Sequence, residues 1–214
     1  MSFVWNCLGD SITDAIFVDR HYYDYIMERC PGLVVRNYGI SGTRISENDE
    51  TAFCRRYREM ERADVITVFG GVNDWGQQNP APLGRFEDRD SRTFYGALHL
   101  LCEGLQTNYP EAVILFLTPI GNVGYGQFAI GKNILGYTVE DYADAICRVC
   151  ASYKIPVLDL CRECGFTPEN PVQNKRYFID GLHLSEEGHK RISYPIEAML
   201  KKYCGSDFVN RCSL

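Results

Sequence analysis

The sequence predicts an α/β fold: a parallel, five-stranded sheet covered by helices on both faces. Two observations carry this. Five short apolar runs recur along the chain, each of strand length. Segments with helical periodicity separate them, so each strand must return by a crossover, which is how parallel neighbours are joined. In such sheets ligands bind beyond the carboxyl ends of the strands.

The expected strands are Phe3–Leu8, Leu33–Tyr38, Val65–Phe69, Val113–Leu117 and Pro156–Leu158, each read as buried on both faces. Helical patterns run over about Asp14–Cys30, Glu50–Arg62, Ser91–Tyr109 and Thr138–Tyr153. A last helix opens at Ser185, whose hydroxyl suits an N-cap and is followed by the acids Glu186 and Glu187, and it runs to about Tyr203. Two stretches lack periodicity, 76–92 and 121–136, and both follow strand ends on the expected ligand-binding rim.

With 214 residues and no break in composition, residues 1–214 are expected to form a single domain. The net charge of −6 is spread over mixed acidic and basic residues, with no basic stripe, so nucleic acid is not an expected partner. The longest apolar runs are strand-sized, so no membrane partner is expected either. The N-terminus lacks the basic start of a secretory signal. Ten unsystematically placed cysteines read as buried thiols of a reducing, cytoplasmic compartment. Cys147-x-x-Cys150 and Cys161-x-x-Cys164 have the spacing of a four-cysteine zinc site. Against zinc, the first pair lies within a helical pattern, a strand-like run separates the pairs, and no glycine knuckle follows. No metal is expected.

Four segments carry chemistry. In Gly9-Asp10-Ser11-Ile12, a serine follows the first strand, at a turn where Gly9 permits a tight bend and the next helix offers its positive end. Alone, this serine reads better as an N-cap. In Asn37–Thr43, the Gly42 N–H can approach a ligand oxygen, although an ordinary βα turn has the same composition. In Gly71-Val72-Asn73-Asp74, the Asn73 amide can donate to an oxyanion, a contact worth ~10²–10³ in rate. Its bland reading is an Asn-Asp turn bonded to its own backbone. In Asp180-Gly181-Leu182-His183, an imidazole with a reference pKa of about 6.5 suits a general base, and the carboxylate suits its orienter. His21, His99 and His189 fall inside predicted helices and compete less well. Trp75, beside the third segment, is either a sugar-stacking platform or a packed aromatic.

Together these segments, in this order and spacing, resemble the four signature blocks of the SGNH hydrolase superfamily, the GDSL esterases and lipases. The resemblance spans nearly the whole chain. It implies a three-layer α/β/α, flavodoxin-like sandwich. It implies Ser11 as nucleophile, His183 as base and Asp180 as orienter, with an oxyanion hole from Ser11, Gly42 and Asn73. It implies no cofactor. Val72 departs from the small or polar residue often found at that place.

The superfamily acts on many esters, so the triad does not choose a substrate. Rim residues Gln77, Gln78, Asn79, Arg85, Asp88 and Asn122, interleaved with Trp75, Tyr125 and Phe128, point to a short acyl group on a polar alcohol. An acetylated carbohydrate fits, and Trp75, Tyr125 and Phe128 are its candidate contacts. The alternative is a lysophospholipase or acyl-thioesterase, with Phe128, Ile130, Ile134 and Leu135 as an acyl groove. A non-enzymatic ligand-binding module is the remaining reading.

Overall fold

The computed structural model describes residues 2–14, 16–121, 131–166 and 170–212. Strands β1 (Phe3–Gly9), β2 (Leu33–Gly39), β3 (Val65–Phe69), β4 (Val113–Leu117) and β5 (Val157–Leu158) form one parallel sheet, in the order β2-β1-β3-β4-β5. The helices are α1 (Tyr22–Arg29), α2 (Phe53–Arg56), α3 (Val72–Gly76), α4 (Phe94–Asn108), α5 (Val139–Ser152), α6 (Leu160–Glu163), α7 (Pro171–Tyr177) and α8 (Glu186–Cys212). The fold is the expected three-layer α/β/α sandwich.

Strand periodicity divides the core. In β3, Ile66 and Val68 face a layer built from α2 to α5, while Val65 and Phe69 face a layer built from α1 and α8. In β4, Ile114 and Phe116 take the first side, and Leu115 and Leu117 the second. Each large side chain buried this way contributes roughly 1.5–3 kcal/mol. The polar atom of buried Trp5 is satisfied, since its Nε1 donates to Thr67 Oγ1 at 2.8 Å.

Four expectations need correction. β2 is not buried on both faces: only Leu33 is fully buried, because this edge strand has a neighbour on one side alone. The helix expected from Asp14 begins only at Tyr22. The β-branched Ile16 and Val18 weaken the intervening stretch as helix, and Asp24 Oδ2 accepts from the His21 N–H at 2.7 Å to start the helix afresh. The pattern at 50–62 yields only α2 and a following 3-10 turn. The last helix does break near the expected end, at Gly205 with φ +62°, but the chain resumes helical geometry to Cys212. Phe208 there packs edge-on against Phe3, with ring centroids 5.1 Å apart, which holds the C-terminal turn on the sheet.

All ten cysteines are free thiols. Cys150 lies inside α5 with its sulfur 4.0 Å from that of Cys102. Among the described residues no cluster of three or more His, Cys, Asp or Glu is arranged to hold a metal. Among them, too, no helix is long and apolar enough to cross a membrane.

Candidate active site

The sheet order reverses direction between β1 and β3, which opens a crevice at their carboxyl ends. Ser11 follows β1 and Asn73 follows β3, so the topology sets both at this crevice. After Gly9 the chain makes one helical turn, with the Asp14 N–H donating to the Asp10 carbonyl at 2.9 Å. Ser11 therefore sits on a single turn, not at the head of α1, and the full helix dipole expected behind it is not there. Gly9 also has a different role from the expected one. It has no positive φ, but a Cβ there would lie 2.0 Å from Thr13 Oγ1. The glycine makes room for the returning turn.

The loop between α7 and α8 delivers the other two groups. Phe178 bridges Leu184 in antiparallel fashion, and the Ile179 N–H donates to the His183 carbonyl at 2.9 Å. Asp180 Oδ1 accepts from the backbone N–H groups of Leu182 at 3.0 Å and His183 at 2.8 Å. Its Oδ2 lies 2.6 Å from His183 Nδ1, and His183 Nε2 lies 3.0 Å from Ser11 Oγ. Burial opposes ionisation of Asp180, but the hydrogen bonds from the His183 ring and from the His183 and Leu182 backbone outweigh it. The carboxyl is held below its ordinary range. An ionised Asp180 accepts from Nδ1–H, which leaves Nε2 to accept the Ser11 hydroxyl proton. Phe17 stacks on the imidazole, with centroids 3.9 Å apart and planes 22° apart.

Across the crevice, Gly42 adopts φ +77°, with nothing within 4 Å of where a Cβ would project. Only glycine takes this backbone without strain. Asn73 is buried, and its Nδ2 donates to the Thr43 carbonyl at 3.0 Å, which leaves the second amide hydrogen over. Asp74 binds the same loop further on. Its oxygens accept from Ile45 N at 2.9 Å, Ser46 N at 2.9 Å and Ser46 Oγ at 2.6 Å. Among the described residues both side chains bond the loop after β2 and not their own turn, so the local Asn-Asp reading is replaced by a clamp between two loops. Burial raises the Asp74 carboxyl to about 6 and Asp10 to about 7. Arg56, lowered to about 10 by burial, donates to the carbonyls of Gly9 at 2.7 Å and Tyr38 at 2.5 Å, tying the ends of β1 and β2 together.

Ser11, Gly42, Asn73 and His183 all line one open cleft of about 580 Å³. Gln77, Gln78 and Asn79 line it as expected from the 76–92 stretch, whereas Arg85 and Asp88 do not. Those two close a turn of their own, with Asp88 Oδ2 accepting from Arg85 N at 2.9 Å. Phe17 and Arg44 line the cleft and were not expected. Exposed Phe17 stood inside a stretch read as helix, and Arg44 stood one residue beyond the glycine segment. Trp75 is a correction: it is 2 % exposed, and its Nε1 donates to the Tyr137 carbonyl at 2.9 Å. It is a packed aromatic of the core, with little surface left for a ligand. Tyr125 and Phe128 lie outside the described residues.

The profile of the GDSL-like Lipase/Acylhydrolase family matches residues 7–191. The chain is similar to a protein of known structure from Lactobacillus plantarum, at 38% identity over 95% of this chain and 99% of that one, with a TM-score of 0.87. It shares its fold with a possible lipase from Chitinophaga pinensis, at 22% identity over 94% and 98% of the two chains and a TM-score of 0.76. It also shares it with Est24, a carbohydrate acetylesterase from Sinorhizobium meliloti, at 16% identity over 94% and 99% and a TM-score of 0.69. No functionally curated protein matches the chain. With the family profile running through the crevice and both of its loops, the chain belongs to the GDSL-like lipase/acylhydrolase family and is a hydrolase of esters.

Proposed function

We propose that the protein is a serine esterase that removes a short acyl group, acetyl above all, from a polar alcohol such as a carbohydrate. The observation that carries this reading is the relay from Ser11 Oγ to His183 Nε2 at 3.0 Å and from His183 Nδ1 to Asp180 Oδ2 at 2.6 Å.

In this reaction Ser11 Oγ attacks the ester carbonyl while His183 Nε2 takes its proton. The carbonyl π pair moves to oxygen, and the oxyanion receives hydrogen bonds from the Ser11 and Gly42 N–H groups and the Asn73 amide. The C–O bond to the alcohol breaks, and the alcohol leaves with the proton from His183. Water then attacks acyl-Ser11, gives its proton to His183, and the acid departs as that proton returns to Ser11. Asp180 holds the tautomer and offsets the imidazolium charge.

A short acyl group on a polar alcohol is supported by the amides of Gln77, Gln78 and Asn79 along the cleft. The fold shared with a carbohydrate acetylesterase is compatible with it. A second reading, with a long acyl chain, draws support from a groove of about 340 Å³ that shares Gln77 and Gln78 with the cleft and reaches Ile134, which is 78% exposed. A fluorophosphonate probe and a series of p-nitrophenyl esters test both. Label on Ser11 with rates falling steeply beyond butyrate supports the first reading. Label on Ser11 with rates rising toward octanoate supports the second. A folded protein without label on Ser11 overturns the nucleophile assignment.

A further inference from the structure

The cleft has an unusual charge balance. Among the described residues, Arg44 is the side chain of fixed charge that lines it, and no Asp or Glu does. Arg44 forms no ion pair with a carboxylate among the described residues. The nearby acids accept hydrogen bonds from other groups, and of them Asp74 feels the Arg44 charge at a distance without pairing with it. Asp14 Oδ2 accepts from Ser41 N at 2.9 Å, Asp74 is spent on Ile45 and Ser46, and Asp180 on the His183 loop. Asp10 is buried beneath the site, and burial raises its carboxyl to about 7.

Arg44 is also held. Its Nε donates to Gln77 Oε1 at 2.7 Å and its Nη2 to the Asn79 carbonyl at 2.5 Å. Gln77 in turn donates through Nε2 to the Gly42 carbonyl at 2.7 Å, so both ends of its amide are fixed. These bonds use part of the guanidinium fork and leave further N–H groups over. A fork fixed before binding loses little entropy when a ligand arrives, which suits planar recognition of an oxyanion.

We propose that the substrate ester carries an anionic group, a carboxylate or a phosphate, and that the Arg44 guanidinium receives it. The proposal rests on the reading of Ser11 as nucleophile and narrows its alcohol or acyl part to an acidic one.

The test compares matched esters: 4-acetoxybenzoate, its neutral methyl ester, and 4-acetoxyphenyl phosphate with phenyl acetate as its neutral partner. Each is assayed at low salt with the wild type, Arg44→Lys and Arg44→Gln. The wild type should favour an anionic member by about tenfold in kcat/KM, mainly through KM, and Arg44→Gln should remove about tenfold of that preference. Arg44→Lys, which keeps the charge but not the fork, should fall between. Because Arg44 also supports Gln77 and Gly42, Arg44→Gln will slow the neutral esters too, so the ratio within each variant is the readout. An Arg44-dependent preference confined to the benzoate identifies a carboxylate substrate, and one confined to the phosphate a phosphorylated one. A preference for neutral esters, or a ratio unmoved by Arg44→Gln, overturns the proposal. Ser11→Ala separates the two readings: if it retains turnover, the esterase mechanism itself fails. If it abolishes turnover while the ratio ignores Arg44, only the anionic-substrate inference fails.

Discussion

Gly9 and Asp180 show how single residues set up this site. At Gly9 the requirement is space, since an added Cβ would meet Thr13 Oγ1 at 2.0 Å. Gly9→Ala should destabilise the fold by about 1–3 kcal/mol through overpacking. It should also lower kcat, because the Ser11 turn must shift. Urea unfolding beside steady-state turnover checks both, and an unchanged unfolding midpoint would contradict the steric account. Asp180 acts through a charge that its hydrogen bonds hold in place. Asp180→Asn should lower kcat by about 10⁴-fold by favouring the wrong histidine tautomer. KM should stay within a few-fold, as kinetics on p-nitrophenyl acetate would reveal. Both chemical groups were legible in the chain, because Ser11 directly follows a strand-like run and Asp180 and His183 stand three apart. Phe17 was not legible: nothing local says that its ring will lie 3.9 Å from an imidazole.

At the scale of elements, α3 and the loop after β2 work as one unit. Asn73 holds Thr43, and Asp74 holds Ile45 and Ser46. The motif was readable as a segment after a strand, but its partners were not, since they lie about thirty residues away on another loop. Asp74→Ala should cost about 2–4 kcal/mol by leaving buried N–H groups unpaired. It should also depress kcat for every ester alike, because the loop bearing Gly42 loses its anchor. Differential scanning calorimetry with a two-substrate assay tests this; a loss of stability without loss of turnover would mean that the clamp serves the fold alone. The late start of α1 belongs at this scale as well. Apolar spacing continued from Asp14, but Ile16 and Phe17 are 61% and 43% exposed, so the first part of the pattern did not mark a core face.

For the whole molecule, two buried groups bend the stability curve in opposite directions. Burial, then the charges of His21 and His183, lower His189 to about 3. The unfolded chain binds that proton below about 6.5, so the folded state loses stability as pH falls from there toward 3, by up to ~1.4 kcal/mol per pH unit. Asp10, raised to about 7 by burial, keeps its proton when the unfolded chain has already lost it. Its contribution is fully present below the ordinary carboxylate range and is lost as pH rises through 7. His189→Gln should therefore remove a rise in Tm between about pH 3 and 6.5, and Asp10→Asn an opposing fall between about pH 4 and 7. Parallel curves for either variant and the wild type would refute that group's part. Thiol chemistry gives a second global test. Burial pushes Cys54, Cys161, Cys204 and Cys212 up to about 12, so the native protein should react slowly with Ellman's reagent and yield all ten thiols once denatured.

What the sequence determined by itself was the kind and order of the strands and the main crossover helices, and the chemical groups carried at the strand ends. Those follow from local periodicity and from residue type, which act over a few positions. What only the tertiary structure decided was contact across the chain. It brought Ser11 within 3.0 Å of a histidine 172 residues away, turned Arg44 into the cleft, and put Trp75 in the core. Whether an aromatic is a ligand platform or a core side chain depends on which face its neighbours cover. That is a property of packing among distant segments, to which a local pattern has no access.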